Sequence, residues 1–187
     1  TQILWINLLT DSAPAMAMGV DTETDDVMSR PPRALTERVI DRRMWGGVVL
    51  SGLVMAVATL ATIDLFGSGG LIAGTADLAT ARTGGFTVLV LAQLFNAFGT
   101  RSETSSAFHR GAVTWWLWAA VALSLLLQVA VVHVPALGAA FGTSPLSGEQ
   151  WLVCAAVASS VLWVGELRKV LLRAVDRRRE RASADDA

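Results

Sequence analysis

Charged residues are scarce in this sequence, and cysteine is almost absent. Only 17% of the 187 residues are charged. Soluble globular domains average about 25%, so the composition excludes an ordinary soluble domain. The single cysteine, Cys154, excludes a disulfide framework and a multi-thiolate metal site. A formal net charge of −1 excludes a globally basic protein, so no nucleic acid is expected as a partner.

Long apolar runs take the place of the missing charges. Hydrophobic residues make up 53% of the sequence. A helix needs about 20 apolar residues to cross the hydrocarbon core, and five segments approach or exceed that length. They comprise residues 2–20, 44–66, 84–100, 111–132 and 150–165. No alternation of period two repeats, so a transmembrane barrel is not expected, and helices satisfy the backbone in lipid. We predict an all-α membrane protein, a bundle of five transmembrane helices in the lipid bilayer.

The basic residues predict the orientation of this bundle. All of the 15 Lys and Arg residues except Arg82 fall after the first span, between spans three and four, or in the C-terminal tail. Since basic loops stay on the cytoplasmic side, we predict a cytoplasmic C-terminus and an N-terminus outside. Residues 1–176 then form one membrane domain, and residues 177–187 form a basic-then-acidic tail that we expect to be disordered.

Three polar side chains share one face of the first span. Asn7, Thr10 and Asp11 stand at i, i+3 and i+4 in an otherwise apolar segment. A carboxylate near the middle of a membrane helix costs about 2.5–3.5 kcal/mol and marks a functional position by default. Pro14 leaves the carbonyl of Thr10 without its usual helical donor. These groups are all oxygen donors, which hard cations such as Ca²⁺ prefer, so a cation site is expected. The alternative is that they join helices, with Asp11 paired to a basic residue elsewhere.

Several segments resemble the membrane helices of type II P-type cation-transporting ATPases. LWINLLTD (residues 4–11) and MSRPPR (residues 28–33) resemble the sixth helix and the loop that follows it. FTVLVLAQLFNAF (residues 86–98) resembles the eighth helix, and GELRK (residues 165–169) the inner end of the tenth. The resemblance covers nearly the whole sequence as helices six to ten. An apolar span that begins at Gln2, directly after Thr1 and without a signal peptide, agrees with this, and we expect a C-terminal fragment of a longer pump.

The resemblance implies a set of metal ligands. The sixth helix of the family binds cations through the positions that match Asn7, Thr10 and Asp11, and the eighth through the position that matches Gln93. Asparagine and threonine in the sixth helix resemble calcium pumps, and glutamine at position 93 resembles pumps of the plasma-membrane type. The implied cargo is Ca²⁺, with Mn²⁺ as the alternative, and the implied location is the plasma membrane.

The resemblance also implies parts that this sequence does not contain. Upstream helices of the parent pump would complete the cation site, because Ca²⁺ takes six to eight oxygen ligands. Cytoplasmic domains of the parent would bind ATP and Mg²⁺, since neither the family's phosphorylation motif nor a phosphate-binding loop occurs here. The segment is therefore not expected to hydrolyse ATP alone. The alternative functions are a non-catalytic five-helix membrane protein, and a channel or proton-coupled carrier.

Overall fold

The computed structural model describes residues 1–8, 12–19, 42–68, 74, 77–99 and 115–185. Within these ranges the regular elements are seven helices, which confirms the all-α prediction. They are α1 (Gln2–Asn7), α2 (Ala13–Gly19), α3 (Arg42–Phe66), α4 (Leu78–Gly99), α5 (Trp115–His133), α6 (Pro135–Phe141) and α7 (Gly148–Asp185).

Four of these helices are long and apolar enough to cross a membrane. The candidate spans within the described residues are Met44–Phe66, Leu78–Gly99, Trp115–His133 and Gly148–Val175. The first has the predicted bounds of the second span, and the others overlap spans three to five. The chain is thus an integral, multi-pass membrane protein.

The first predicted span is represented by α1 and α2. Both helices lie within residues 2–20, and residues 9–11 between them fall outside the described residues. The first span, the count of five spans and the orientation of the bundle therefore stay predictions.

The central helix of the bundle is α4. It packs against α3, α5 and α7, and its buried residues follow one another through most of its length. Gly84 and Gly85 allow α3 to approach closely: a Cβ on Gly84 would lie 2.5 Å from Phe66 Cδ2, and one on Gly85 would lie 2.5 Å from Ile63 Cγ1. Close approach at small residues is typical of membrane helix packing, where apolar burial alone provides little drive.

The segment between α5 and α7 closes the end of the bundle at which α4 begins. The short helix α6 starts with Pro135 and ends at Gly142, which has the left-handed φ of 66° that glycine accepts most easily. Thr143 Oγ1 then donates a hydrogen bond to the carbonyl of Val131 at 2.7 Å. Ser147 and Gln150 form a reciprocal capping box at the start of α7, with bonds of 2.8 and 3.2 Å. We call this end the connecting end.

α7 is much longer than the fifth predicted span of residues 150–165. Its backbone stays helical to Asp185, through most of the tail that the sequence analysis expects to be disordered. The difference has a local reason: residues 166–182 contain neither glycine nor proline, and arginine, leucine, glutamate and alanine are good helix formers. Charge ends an apolar run in the sequence, but it does not end a helix.

Candidate intramembrane cation site

The first helix is attached to the connecting end of the bundle. Gln2 Nε2 donates a hydrogen bond to the carbonyl of Phe141 at 2.9 Å. Trp5 meets the Phe141 ring edge to face, with ring centroids 4.9 Å apart. Ile6 is buried in a cluster that includes Val90 of α4. These contacts place one side of α1 against the bundle.

Asn7 lies on the opposite, open side of α1. Ile3, Leu4, Asn7 and Leu8 are all exposed, and their spacing places them on one helix face. The three apolar side chains are 75%, 73% and 60% exposed, in chain order. The Asn7 amide, which has apolar neighbours on this face, therefore points away from every described helix. Within the described residues, nothing covers it.

The second helix continues an open face. Ala17 of α2 is buried with Leu117 and Ala120 of α5, so this side packs on the bundle. Met16, one residue earlier, is 73% exposed. Thr10 and Asp11, the other two residues of the predicted polar face, lie outside the described residues, so the structure does not test whether they adjoin Asn7.

Gln93 of α4 carries an unpaired acceptor. Its side chain is half-buried, but its Oε1 is fully buried and has no hydrogen-bond partner. Val90 and Leu94, which flank it on the helix, belong to the same buried cluster as Ile6. Asn7 itself is exposed on the open side of α1, whereas Gln93 Oε1 is buried, so the structure does not bring these two predicted ligands together.

The described part of the site has oxygen donors but no carboxylate. Asn7 and Gln93 are neutral, and the described residues contain no group of three or more His, Cys, Asp or Glu side chains that could hold a metal ion. Two amide oxygens cannot balance the charge of a divalent ion in a low dielectric. Of the predicted ligands only Asp11, which is not described, could supply a negative charge.

A second buried polar group was missed by the sequence analysis. Gln128 of α5 is fully buried, and its Nε2 donates a hydrogen bond of 3.3 Å to Thr87 Oγ1 of α4. Its Oε1 has no hydrogen-bond partner. Ser124, one turn earlier on α5, is also buried. A detectable signal was present: Thr83 and Thr87, like Ser124 and Gln128, stand at i and i+4 in apolar helices, so each pair shares a face.

Comparison with known proteins identifies the type of chain. Residues 1–171 match the family model described as cation transporting ATPase, C-terminus. A calcium-transporting ATPase of Bacillus subtilis (strain 168) is 40% identical over 153 residues, 81% of this chain and 17% of that protein. Calcium-transporting ATPase 1 of Schizosaccharomyces pombe is 35% identical over 90% of this chain and 18% of its own length. Calcium-transporting ATPase type 2C member 2 of Mus musculus is 34% identical over 95% of this chain and 18% of its own length.

The chain therefore spans less than one fifth of the length of these relatives. The family model, in contrast, covers nearly all of the chain, including three of the four long apolar helices in full and most of the fourth. The chain belongs to the family of cation transporting ATPase C-terminal domains.

Proposed function

We propose that the chain is the C-terminal transmembrane part of an ATP-driven cation pump and supplies part of its intramembrane cation site. Asn7, Thr10, Asp11 and Gln93 are the proposed ligands. The observation that supports this best is Gln93 Oε1, a buried acceptor without a partner. An unsatisfied buried acceptor costs about 1–3 kcal/mol, and a bound cation would satisfy it.

The open face of α1 supports an incomplete site. Asn7 faces away from the described helices, and its neighbours on the same helix face are exposed apolar side chains. Helices of the parent pump would cover this face and add the missing ligands, because Ca²⁺ takes six to eight oxygens and one carboxylate leaves it under-neutralised. The bilayer covers the other apolar surfaces of the bundle.

Ca²⁺ is the proposed cargo, because each of the three relatives above is named a calcium-transporting ATPase. Mn²⁺, which also accepts oxygen ligands, is the alternative cargo. ATP and Mg²⁺ would act only through cytoplasmic domains of the parent. We propose the plasma membrane as the location, on the resemblance of Gln93 to the glutamine of plasma-membrane-type pumps.

The decisive experiment replaces Asp11 in the full-length pump. Asp11→Asn removes the proposed negative ligand at nearly constant volume, so we expect Ca²⁺-dependent phosphorylation by ATP to be lost while membrane insertion is kept. Asp77→Asn is the matched control, because Asp77 is an exposed residue at the start of α4. Wild-type Ca²⁺ dependence in Asp11→Asn would refute the site. Absence of a phosphorylation motif in frame upstream of Thr1 would favour the non-catalytic five-helix alternative.

Gln93 is tested by a change of charge. Gln93→Glu adds a carboxylate at the same reach, and we expect the Ca²⁺ affinity or its pH dependence to change. Affinity rises if the new acid is ionised, and falls if low dielectric keeps it protonated. Gln150→Glu is the control, since glutamate also completes a capping box. Superimposable Ca²⁺ titrations across pH would leave Gln93 as a helix-packing residue.

A further inference from the structure

α7 is longer than a membrane crossing requires. Its apolar part, Gly148–Val175, has 28 residues. At about 1.5 Å per residue this is about 42 Å, whereas the hydrocarbon core is about 30 Å thick. With the average tilt of about 20°, the helix would still reach about 39 Å along the membrane normal. Roughly six residues must therefore lie beyond the core.

Charged side chains mark the boundary of the core near residue 168. A Cβ on Gly47 of α3 would lie 2.9 Å from Arg168 Nη1, so the guanidinium rests directly on the backbone of α3. Lys169 is only 4% exposed, and its Nζ pairs with Glu166 Oε1 at 3.1 Å. Trp151, at the opposite end of the span, is about 26 Å away at the α-helical rise. This separation is close to one core thickness, so residues from Val170 onward lie at the level of the headgroups.

The part of α7 beyond this boundary keeps an apolar face. Leu167, Val170, Leu171 and Val175 stand at i, i+3, i+4 and i+8, on one side of the helix. They are 59%, 52%, 58% and 45% exposed, in chain order. No described helix covers this face. Leu167, the first residue of this face, lies within the hydrocarbon core. The face therefore begins against lipid chains and continues without a break into the headgroup layer.

Basic residues accompany this face. Arg173 is half-buried and its Nε donates a hydrogen bond to the carbonyl of Lys169 at 3.2 Å. The sequence adds Arg177, Arg178, Arg179 and Arg181 on the helical backbone of the next two turns. Because α7 is one continuous helix, the extension leaves the membrane in line with the span and carries these arginines through the headgroup layer, where a basic residue near an anionic surface is worth about 1 kcal/mol.

We propose that residues 167–181, the α7 extension, bind the anionic lipid headgroups of the leaflet at which α7 leaves the membrane. The apolar face crosses from the acyl chains into the headgroup layer, and the positive charge of the arginine-rich sequence favours anionic lipid there. Lipid is favoured over a protein partner because the face is continuous with the lipid-exposed surface of the span. The distribution of the basic residues predicts that this is the cytoplasmic leaflet.

A spin label on the complete chain tests the proposal. Cys154→Ala removes the buried native thiol, and Val175→Cys carries the label in nanodiscs. With one third phosphatidylglycerol in phosphatidylcholine, we expect the label to be less accessible to an aqueous nickel chelate, relative to oxygen, than in pure phosphatidylcholine. Replacing Arg177, Arg178, Arg179 and Arg181 by glutamine should move the label toward water by about 5 Å, one helical turn. The matched replacement by lysine keeps the charge and should keep the depth.

Three outcomes would overturn the proposal. The label could be fully accessible to the nickel chelate with and without phosphatidylglycerol. It could instead be shielded from both oxygen and the nickel chelate by a covering protein segment. It could also keep the same depth in pure phosphatidylcholine and in the glutamine variant, which would remove the need for anionic lipid. A label at Leu152→Cys, 73% exposed at the other end of α7, verifies folding, because its depth should be the same in every variant.

Discussion

The ring of Phe66 occupies the space that a side chain at position 84 would need. A Cβ on Gly84 would lie 2.5 Å from Phe66 Cδ2 and 2.7 Å from Cε2, closer than real contacts permit. Phe66 is itself buried at the end of α3. The carbonyl of Gly84 also accepts a hydrogen bond from Cys154 Sγ of α7 at 3.7 Å. Three helices therefore meet where α4 has no side chain.

We expect Gly84→Ala to lower the free energy of unfolding by about 1–3 kcal/mol, the usual cost of overpacking. Denaturant unfolding in detergent micelles measures it. Gly52→Ala is the matched control, because Gly52 lies on α3 and a Cβ added there would meet nothing within 4 Å. Alanine there should be neutral or slightly stabilising, since it favours the helix. Equal losses in the two variants would contradict the packing role of Gly84.

The hydrogen bond between Gln128 and Thr87 predicts that removing either partner alone changes the free energy of unfolding by different amounts. Thr87→Val leaves the buried Gln128 amide without its partner, so we expect a loss of about 1–3 kcal/mol. Gln128→Leu removes the amide that already has one unpaired oxygen, and should change stability by less than about 1 kcal/mol. In the double variant most of the loss should be recovered. Additive losses in this double-mutant cycle would show that the two side chains are not coupled.

Asp77 predicts a pH dependence at the start of α4. Its carboxylate accepts a hydrogen bond from the Thr80 side chain and another from the Thr80 backbone N–H, and these bonds lower its pKa below 3.8. A lowered pKa stabilises the folded state above 3.8, and this contribution is lost as pH falls through the lowered pKa. An NMR titration of Asp77 should therefore have its midpoint below 3.8. Asp77→Asn keeps the cap and should remove this step; a midpoint at or above 3.8 would contradict the cap.

The predicted orientation is tested by thiol labelling. In a Cys154→Ala background, Ser68→Cys places a thiol in the exposed turn after α3, and Ser183→Cys places one in the tail. A membrane-impermeant maleimide on intact cells should modify the first and leave the second until the cells are permeabilised. The reverse accessibility would refute the five-span topology, because the basic residues support one orientation.

The sequence predicts the spans better where the apolar run extends to the end of the helix. The span of residues 44–66 ends where α3 ends, at Phe66. The span of residues 84–100 misses the first turns of α4, since Arg82 and Thr83 interrupt the apolar run after the cap at Asp77. The seven-residue helix α6 was not predicted, although Pro135 at its start and Gly142 at its end are typical helix signals.

The sequence predicts which residue types form the candidate site, but not how buried they are or which way they face. The spacing of Asn7 on a polar face could be found from sequence, and so could the polar position of Gln93 in an apolar helix. The sequence does not show that Gln93 Oε1 is buried without a partner or that Asn7 faces away from the bundle, because both depend on how the helices pack. Thr10 and Asp11 remain predictions, because they lie outside the described residues.

The central position of α4 sets an order for membrane insertion. Its polar residues Thr83 and Thr87 are fully buried because α3, α5 and α7 surround it. At a synthesis rate of about 5–20 residues per second, the roughly 75 residues that follow α4 up to the end of the α7 span take about 4–15 s. Until then, the face of α4 that packs against α7 has only lipid or the insertion machinery beside it. The helix that organises the finished bundle thus completes its packing only when the last helix has been made.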